Sequence, residues 1–323
     1  MNTNIQVESV IAEPGTIAYG FLDAGDMQDG SAVKLPIAII NGSEDGPILY
    51  IQSVSDGDEL NGLSVIQHFL NNLSPQELRG GIIAVPVANP FAFYYRQSDS
   101  VADKKKMNRC FPGDKDGTSS QRIAYKLFHE AVVKAQYCID IHQGGVSPMI
   151  NSVNVRVTGR HRLHKKCIEL ARVFGIGYIL DQKGPKGQLA QSAPDADLPT
   201  IDPELGGCYG WDEMSIQKGI LGIYNVLRYY KFINGEPEIP EKQIVVKKLQ
   251  AINSNRGGFI NYLTKIADVL DYRQPIADIC DTFGRTIETV LAPKKGILWS
   301  TSLYPMTFSG STIGFLGVDI MNI

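Results

Sequence analysis

Apolar and polar positions alternate along the first forty residues, which is the pattern of strands buried on one face. The alternation is clearest at residues 17–22 and 33–40, with a turn-rich stretch at 23–30 between them. A short apolar run follows at residues 47–52, and after it the apolar residues of 60–70 recur at helical spacing. This part of the chain therefore predicts a β meander, a buried strand and an amphipathic helix, in that order.

The strand and helix patterns continue to alternate after residue 80. Residues 82–87 form a continuous apolar run, typical of a strand covered on both faces, so the chain has the strand, helix, strand unit of a parallel sheet. Further helices are predicted at 119–135, 161–174 and 214–230, and further strands at 138–142, 153–157 and 178–180. We expect an α/β fold with a mixed, largely parallel sheet flanked by helices.

The composition changes near residues 235–241, a stretch rich in proline and glutamate that is typical of a linker. Beyond it, short strand-like runs separated by Gly, Asp and Pro indicate a small all-β domain. We therefore predict a main domain over residues 1–234 and a small β domain over 243–323. Two roles are open for the second: lining the mouth of a cleft, or mediating contacts in a homo-oligomer.

The overall composition excludes several classes of function. The net charge of -3 gives no basic excess for binding nucleic acid, and the one basic run, residues 104–106, is expected to be a solvated loop. The first residues lack a signal-peptide pattern and no apolar run has membrane-spanning length, so we expect a cytoplasmic protein with a small-molecule partner. The five cysteines form no CxxC pair, which predicts free, mostly buried thiols.

Acidic side chains stand at the turn between the strand at 47–52 and the following helix. Asp56 and Glu59 lie in this turn, and a second apolar strand ends at His142, which is followed by glycines. The carboxyl ends of strands in an open α/β sheet form the edge where ligands bind. We therefore expect Asp56, Glu59 and His142 to converge there as three ligands of a metal ion.

Five short segments, taken in order, resemble the succinylglutamate desuccinylase and aspartoacylase family, which has the zinc carboxypeptidase fold. Any one of them is a weak signal, but five in the right order over residues 48–227 make the resemblance specific. The segments are residues 56–59, 89–93, 108–113, 140–142 and 204–206.

The resemblance implies a metal centre with one altered ligand. The first motif of the family has His-Gly-Asp-Glu, so Glu59 and His142 match its zinc ligands, whereas Asp56 stands where a His is usual. A carboxylate adds a negative charge and makes the metal a weaker Lewis acid, although an Asp, Glu, His set still holds zinc. One divalent ion is expected, with zinc as the first choice and manganese or iron as alternatives. Loss of the metal is the competing hypothesis.

The resemblance also assigns a base and a substrate-binding pair. Glu204 falls at the position of the family's general base, and Asn108 with Arg109 matches the residues that bind a substrate carboxylate. The family usually has Asp-Leu-Asn-Arg, but here Lys106 replaces the Asp. A second Arg, which polarises the scissile carbonyl in the family, is expected about ten residues before Asn108; the nearest candidate is Arg96.

These residues predict a metal-dependent amide hydrolase or deacylase for a small N-acyl or amide substrate with an anionic or polar end. A bound water would attack the amide carbonyl, and Glu204 would transfer the proton. Two alternatives remain open at this stage. One is a non-catalytic small-molecule binding or regulatory protein derived from such a hydrolase; the other is a lyase or ligase step on a carboxylate substrate.

Overall fold

The structure, a computed structural model, describes residues 3–145, 147–208 and 210–323. Within these residues the strands are β1 (Ile5–Val7), β2 (Val10–Ala12), β3 (Thr16–Asp26), β4 (Ala32–Asn41), β5 (Glu44–Ser53), β6 (Arg79–Val85), β7 (Tyr137–Ile141), β8 (Ser152–Val155), β9 (Tyr178–Asp181), β10 (Thr200–Glu204), β11 (Ile244–Asn253), β12 (Gly258–Tyr262), β13 (Val269–Leu270), β14 (Pro275–Cys280), β15 (Thr286–Leu291), β16 (Gly296–Thr301), β17 (Met306–Thr307) and β18 (Thr312–Asn322). The α-helices are α1 (Asn61–Asn72), α2 (Pro90–Phe93), α3 (Ser119–Glu130), α4 (His164–Phe174), α5 (Leu189–Ser192) and α6 (Glu213–Tyr229). Short 3₁₀ helices occupy Pro75–Glu77, Met107–Arg109, Val132–Lys134 and Ala193–Ala196.

A twelve-stranded mixed sheet forms the centre of the molecule, in the order β13, β16, β18, β11, β9, β8, β10, β7, β5, β6, β4, β3. Pairing is parallel from β6 through β5 and β7 to β10, and again from β8 through β9 to β11. The remaining neighbours are antiparallel, including β8 against β10. The predicted α/β class with a mixed sheet and flanking helices is confirmed.

Helices cover both faces of the sheet because the central strands are apolar on both sides. In β5, Leu49 and Ile51 join the core shared with α1, α4 and α6, whereas Tyr50 joins the core shared with α3. The helical spacing of Val65 and Phe69 turns one face of α1 onto the sheet. Burying a side chain such as Phe69 stabilises the fold by about 1.5–3 kcal/mol. This packing fixes the end of β5 relative to the start of α1.

The C-terminal segment is all-β, as predicted, but its strands are divided between two sheets. β11 pairs with β9, and β18 and β16 follow it, so the large sheet continues into this segment. The strands β15, β14, β12 and β17 form a second, four-stranded antiparallel sheet over a core of its own. The boundaries 1–234 and 243–323 therefore stay a prediction.

The structure also bears on two further expectations, the free thiols and the lack of a membrane-spanning segment. All five cysteines are unpaired; Cys138 and Cys167 are buried, and the other three are only half-buried. Among the described residues, no helix combines the length and apolar character that a membrane span needs.

Candidate functional site

The acidic turn after β5 is shaped by a glycine that packs against another loop. A Cβ on Gly57 would lie 2.1 Å from the carbonyl carbon of Ala92, so no larger residue fits without moving the backbone. The N–H of Gly57 donates to the carbonyl of Gln97 at 2.9 Å. Within the turn, the N–H of Glu59 donates to the carbonyl of Asp56 at 3.2 Å. These contacts hold the two acidic residues in a fixed relation.

The start of α1 is fastened to the end of β7 by one side chain. The N–H groups of Leu60 and Asn61 both donate to Oε1 of Gln143 at 2.9 Å, which caps a helix that has no cap from its own N-cap side chain. The N–H of Gln143 donates to Oε2 of Glu59 at 3.1 Å. Because Gln143 directly follows His142, the two predicted ligands on different elements are locked together.

The structure brings Asp56, Glu59 and His142 together, with one ligand atom from each within 4.8 Å of the others. Nδ1 of His142 lies 2.7 Å from Oε2 of Glu59, and its Nε2 lies 3.2 Å from Oδ2 of Asp140. Among the described residues, the buried Oδ1 of Asp56 has no hydrogen-bond partner. Convergent N and O donors with an unsatisfied buried carboxylate oxygen fit a divalent cation.

The protonation of this cluster reflects its concentrated negative charge. Burial, reinforced by the neighbouring Asp56, raises the pKa of Glu59 to about 8. Burial alone would lower the pKa of His142, but Asp140 and Glu59 outweigh it and raise that pKa well above its usual range. The cluster therefore retains protons in place of a cation, and a bound cation would release them.

Glu204 stands beside the cluster at the end of β10. Its Oε1 lies 3.6 Å from Nη2 of Arg156 and accepts a 3.4 Å hydrogen bond from Nδ2 of Asn154. Nε of Arg156 also pairs with Oδ2 of Asp202 at 2.7 Å. Burial and then Asp202 raise the pKa of Glu204 to about 7, against the lowering effect of His142 and Arg156. A carboxylate with this pKa exchanges protons near neutral pH.

Of the three predicted substrate-binding residues, two line the cleft and one does not. Asn108 is buried at the cleft, where its Nδ2 lies 2.9 Å from Nε2 of His142, and Arg109 next to it is exposed and also lines the cleft. The side chain of Arg96 is exposed and lies outside the cleft lining, so the geometry gives its predicted role no support. A further cation, Arg156, lines the cleft with a half-buried side chain, and the sequence pattern does not identify it.

The cleft has a volume of about 290 Å³ and two walls of different origin. One wall carries the polar residues described above. The other comes from the C-terminal segment, which contributes Leu249, Trp299, Ser300 and Phe315. The N–H of Ile150 donates to the carbonyl of Trp299 at 2.9 Å, which ties this wall to the loop after β7. Of the two roles considered for the C-terminal segment, lining the cleft is the one that the structure shows.

Known proteins resemble this chain in sequence and in fold. Residues 45–230 match the family model described as the succinylglutamate desuccinylase/aspartoacylase catalytic domain. An N-alpha-acetyl-L-2,4-diaminobutyric acid deacetylase from Halomonas elongata is 25% identical over 94% of this chain and 92% of that protein. A succinylglutamate desuccinylase from Silicibacter sp. TM1040 superimposes with a TM-score of 0.86 at 21% identity, covering 98% of this chain and 99% of its own. The product-bound ectoine utilization protein EutE (DoeB) from Ruegeria pomeroyi gives the same TM-score at 20% identity and the same coverage.

Proposed function

The chain belongs to the succinylglutamate desuccinylase/aspartoacylase family, and from this premise we propose that it is a metal-dependent amide deacylase acting on a small N-acylated amino acid. The observation that carries the proposal is the convergence of Asp56, Glu59 and His142 in the same cleft as the half-buried carboxylate of Glu204. The Halomonas relative, which aligns along nearly the whole chain, is a deacetylase of an N-acetylated amino acid, and this supports the same class of substrate.

Asp56, Glu59 and His142 would hold one divalent cation. Zinc is the first candidate because it accepts His nitrogen and carboxylate oxygen in one site, and the second carboxylate makes manganese or iron the alternatives. When bound, the cation supplies Lewis-acid polarisation of the amide carbonyl and acidifies water in the cleft. Asp140, 3.2 Å from Nε2 of His142, orients the imidazole so that Nδ1 faces the cluster.

Glu204 acts as the general base and then as the general acid. Its carboxylate takes a proton from water, the water oxygen bonds to the amide carbon, and the C–N bond breaks as the same proton is delivered to the departing nitrogen. The second proton of the water is first held by the new carboxyl group and then passes to the amine, so the products are a carboxylate and an ammonium group. Arg156 and Asn154 hold the Glu204 carboxylate at the edge of the cleft, so the base needs little reorganisation during the reaction.

Asn108 and Arg109 orient the polar end of the substrate. The Oδ1 atom of Asn108 accepts a hydrogen bond from the N–H of Leu189 at 3.2 Å, which fixes its amide group beside His142. The planar guanidinium of Arg109 at the open side of the cleft fits a substrate carboxylate with two hydrogen bonds. The C-terminal wall, including Leu249 and Phe315, would contact the apolar part of the substrate.

The test begins with the metal content of the untagged protein, measured by inductively coupled plasma mass spectrometry. We expect about one equivalent in the wild type and its loss in Asp56→Ala and His142→Ala, because each variant removes one of three ligands. The zinc- or manganese-loaded protein should then hydrolyse a member of a panel of N-acetyl and N-succinyl amino acids. Solvent ¹⁸O should enter the released acid, which separates hydrolysis from a lyase or ligase reaction.

The same experiment decides between an enzyme and a binding protein. Absence of bound metal after growth in supplemented medium, together with binding of panel compounds without turnover, would contradict the proposal and favour a small-molecule binding protein built on this fold. Glu241→Gln is the control, because Glu241 is exposed and does not line the cleft. This variant should keep the metal content of the wild type; a loss of metal in it would indicate loss during purification.

A further inference from the structure

The basic run at residues 104–106 does not behave as a uniform solvated loop. Lys105 Nζ donates to Oε1 of Gln121, outside the cleft, whereas Lys106 lines the cleft. Nζ of Lys106 lies 3.8 Å from Oδ2 of Asp56, whose side chain is only 7% exposed. One cation of the run is therefore directed at Asp56, one of the three proposed metal ligands.

The backbone around Lys106 is held firmly enough to direct its side chain. The carbonyl of Lys106 accepts hydrogen bonds from the N–H of Arg109 at 3.1 Å and from Sγ of Cys110 at 3.4 Å. Met107, which follows it, is completely buried. A residue anchored in this way loses less entropy on forming an ion pair than a lysine on a mobile loop.

Asp56 and Lys106 carry opposite charges, and both line the cleft. Asp56 adds a second carboxylate to the cluster that already holds Glu59, and Lys106 brings a positive charge within ion-pair distance of it. Lys106 therefore offsets part of the negative charge that Asp56 contributes.

We propose that Lys106 is a positioning residue for Asp56 that controls which cation the site prefers. This inference rests on the proposed metal centre. The ammonium of Lys106 lies on the Oδ2 side of Asp56, at ion-pair distance, and this leaves Oδ1, the buried oxygen without a partner, as the favoured ligand atom. A carboxylate restricted to one oxygen suits a four-coordinate ion such as zinc, whereas larger ions of higher coordination number gain from two oxygens. Lys106 also repels any cation in the cluster, so it keeps affinity moderate.

The test compares the affinities of metal-free protein for Zn²⁺ and Mn²⁺, measured by competition with a chromophoric chelator. In Lys106→Met the repulsion disappears and Asp56 can bind through both oxygens, so we expect Mn²⁺ affinity to rise by about tenfold and Zn²⁺ affinity to rise less. Lys106→Arg keeps the charge and should resemble the wild type. Lys104→Met, an exposed change in the same run, should leave both affinities unchanged.

The outcomes separate this inference from the proposed function. Affinities in Lys106→Met that equal or fall below those of the wild type, with an unchanged circular dichroism spectrum, would overturn the role of Lys106 alone. An equal rise in the affinities for Zn²⁺ and Mn²⁺ would also overturn it, because Lys106 would then not set the preference between the two ions. Wild-type protein that binds neither ion would overturn the metal centre and this inference together.

Discussion

The backbones of His142 and Glu204 are paired side by side at the ends of two neighbouring parallel strands. The N–H of His142 donates to the carbonyl of Pro203 at 2.8 Å, and the carbonyl of His142 accepts from the N–H of Leu205 at 2.9 Å. The spacing between a proposed metal ligand and the proposed base is therefore set by the sheet itself. Side-chain substitutions at either position should leave that spacing intact.

Glu204→Gln should lower kcat/KM by about 10²- to 10⁴-fold, because the amide keeps the shape of the carboxylate but cannot accept the proton. Zinc content should be unchanged, since Glu204 is not one of the three proposed ligands. Steady-state kinetics on a substrate found in the panel, with metal analysis of the same sample, make the comparison. Turnover equal to that of the wild type would exclude Glu204 as the base.

The activity should rise with pH on the acid side of neutrality. Because burial raises the pKa of Glu204 to about 7, the carboxylate is protonated and inactive as a base below that pH and becomes available above it. A bound cation favours the ionised carboxylate, so the midpoint of the acid limb should lie at or below about 7. A profile of log kcat/KM from pH 5 to 9 measures it; a rate that rises as the pH falls would contradict the assignment.

Arg156→Met should move the acid limb of that profile to higher pH. The guanidinium lowers the pKa of Glu204, so removing its charge makes the base harder to ionise. The variant also leaves Asp202 buried without its cation, which should destabilise the fold by about 3–5 kcal/mol, visible as a lower Tm. Arg156→Lys keeps the charge and should move the limb much less. If Arg156 had only a structural role, Arg156→Met would lower the Tm and leave the acid limb of the pH profile at its wild-type position.

Gly57→Ala should destabilise the protein and reduce its metal content together. The added methyl group would lie 2.1 Å from the backbone of Ala92, so the acidic turn must shift, at a cost of about 1–3 kcal/mol. Gly159→Ala is the matched control, because a Cβ there meets no atom within 4 Å. Thermal unfolding and bound zinc are measured on both. A Gly57 variant that unfolds and binds metal like the control would show that the turn tolerates the side chain.

The convergence of Asp56, Glu59 and His142 was predictable from the sequence because all three come after apolar strands. Asp56 and Glu59 come after β5 and His142 after β7, and parallel strands end at a common edge. That argument needs only local patterns and the direction of the strands. The fold class could be predicted for a similar reason, because apolar runs typical of strands alternate with helical spacing along the sequence.

Asn154 and Arg156 were missed because their importance depends on non-local register. β8 runs antiparallel to β10, and Asn154 lies opposite Asp202 in the pair. No local pattern reveals that β8 is inserted beside β10 in the reverse direction. Residues 200–204, Thr-Ile-Asp-Pro-Glu, also lack a clear strand pattern, so the sequence does not identify the neighbour of β8. The sequence also does not predict that Lys106 faces the cleft, because nothing in a run of three lysines distinguishes one from the others.

The cap that Gln143 provides for α1 means that the ligand set is assembled by ordinary tertiary folding. Small zinc domains need the ion in order to fold, and they unfold when a chelator removes it. Here the three donor groups are preorganised by a helix start and a strand end that belong to a large hydrophobic core. If the proposed ion binds here, removing it should therefore be a reversible exchange that leaves a folded apoprotein.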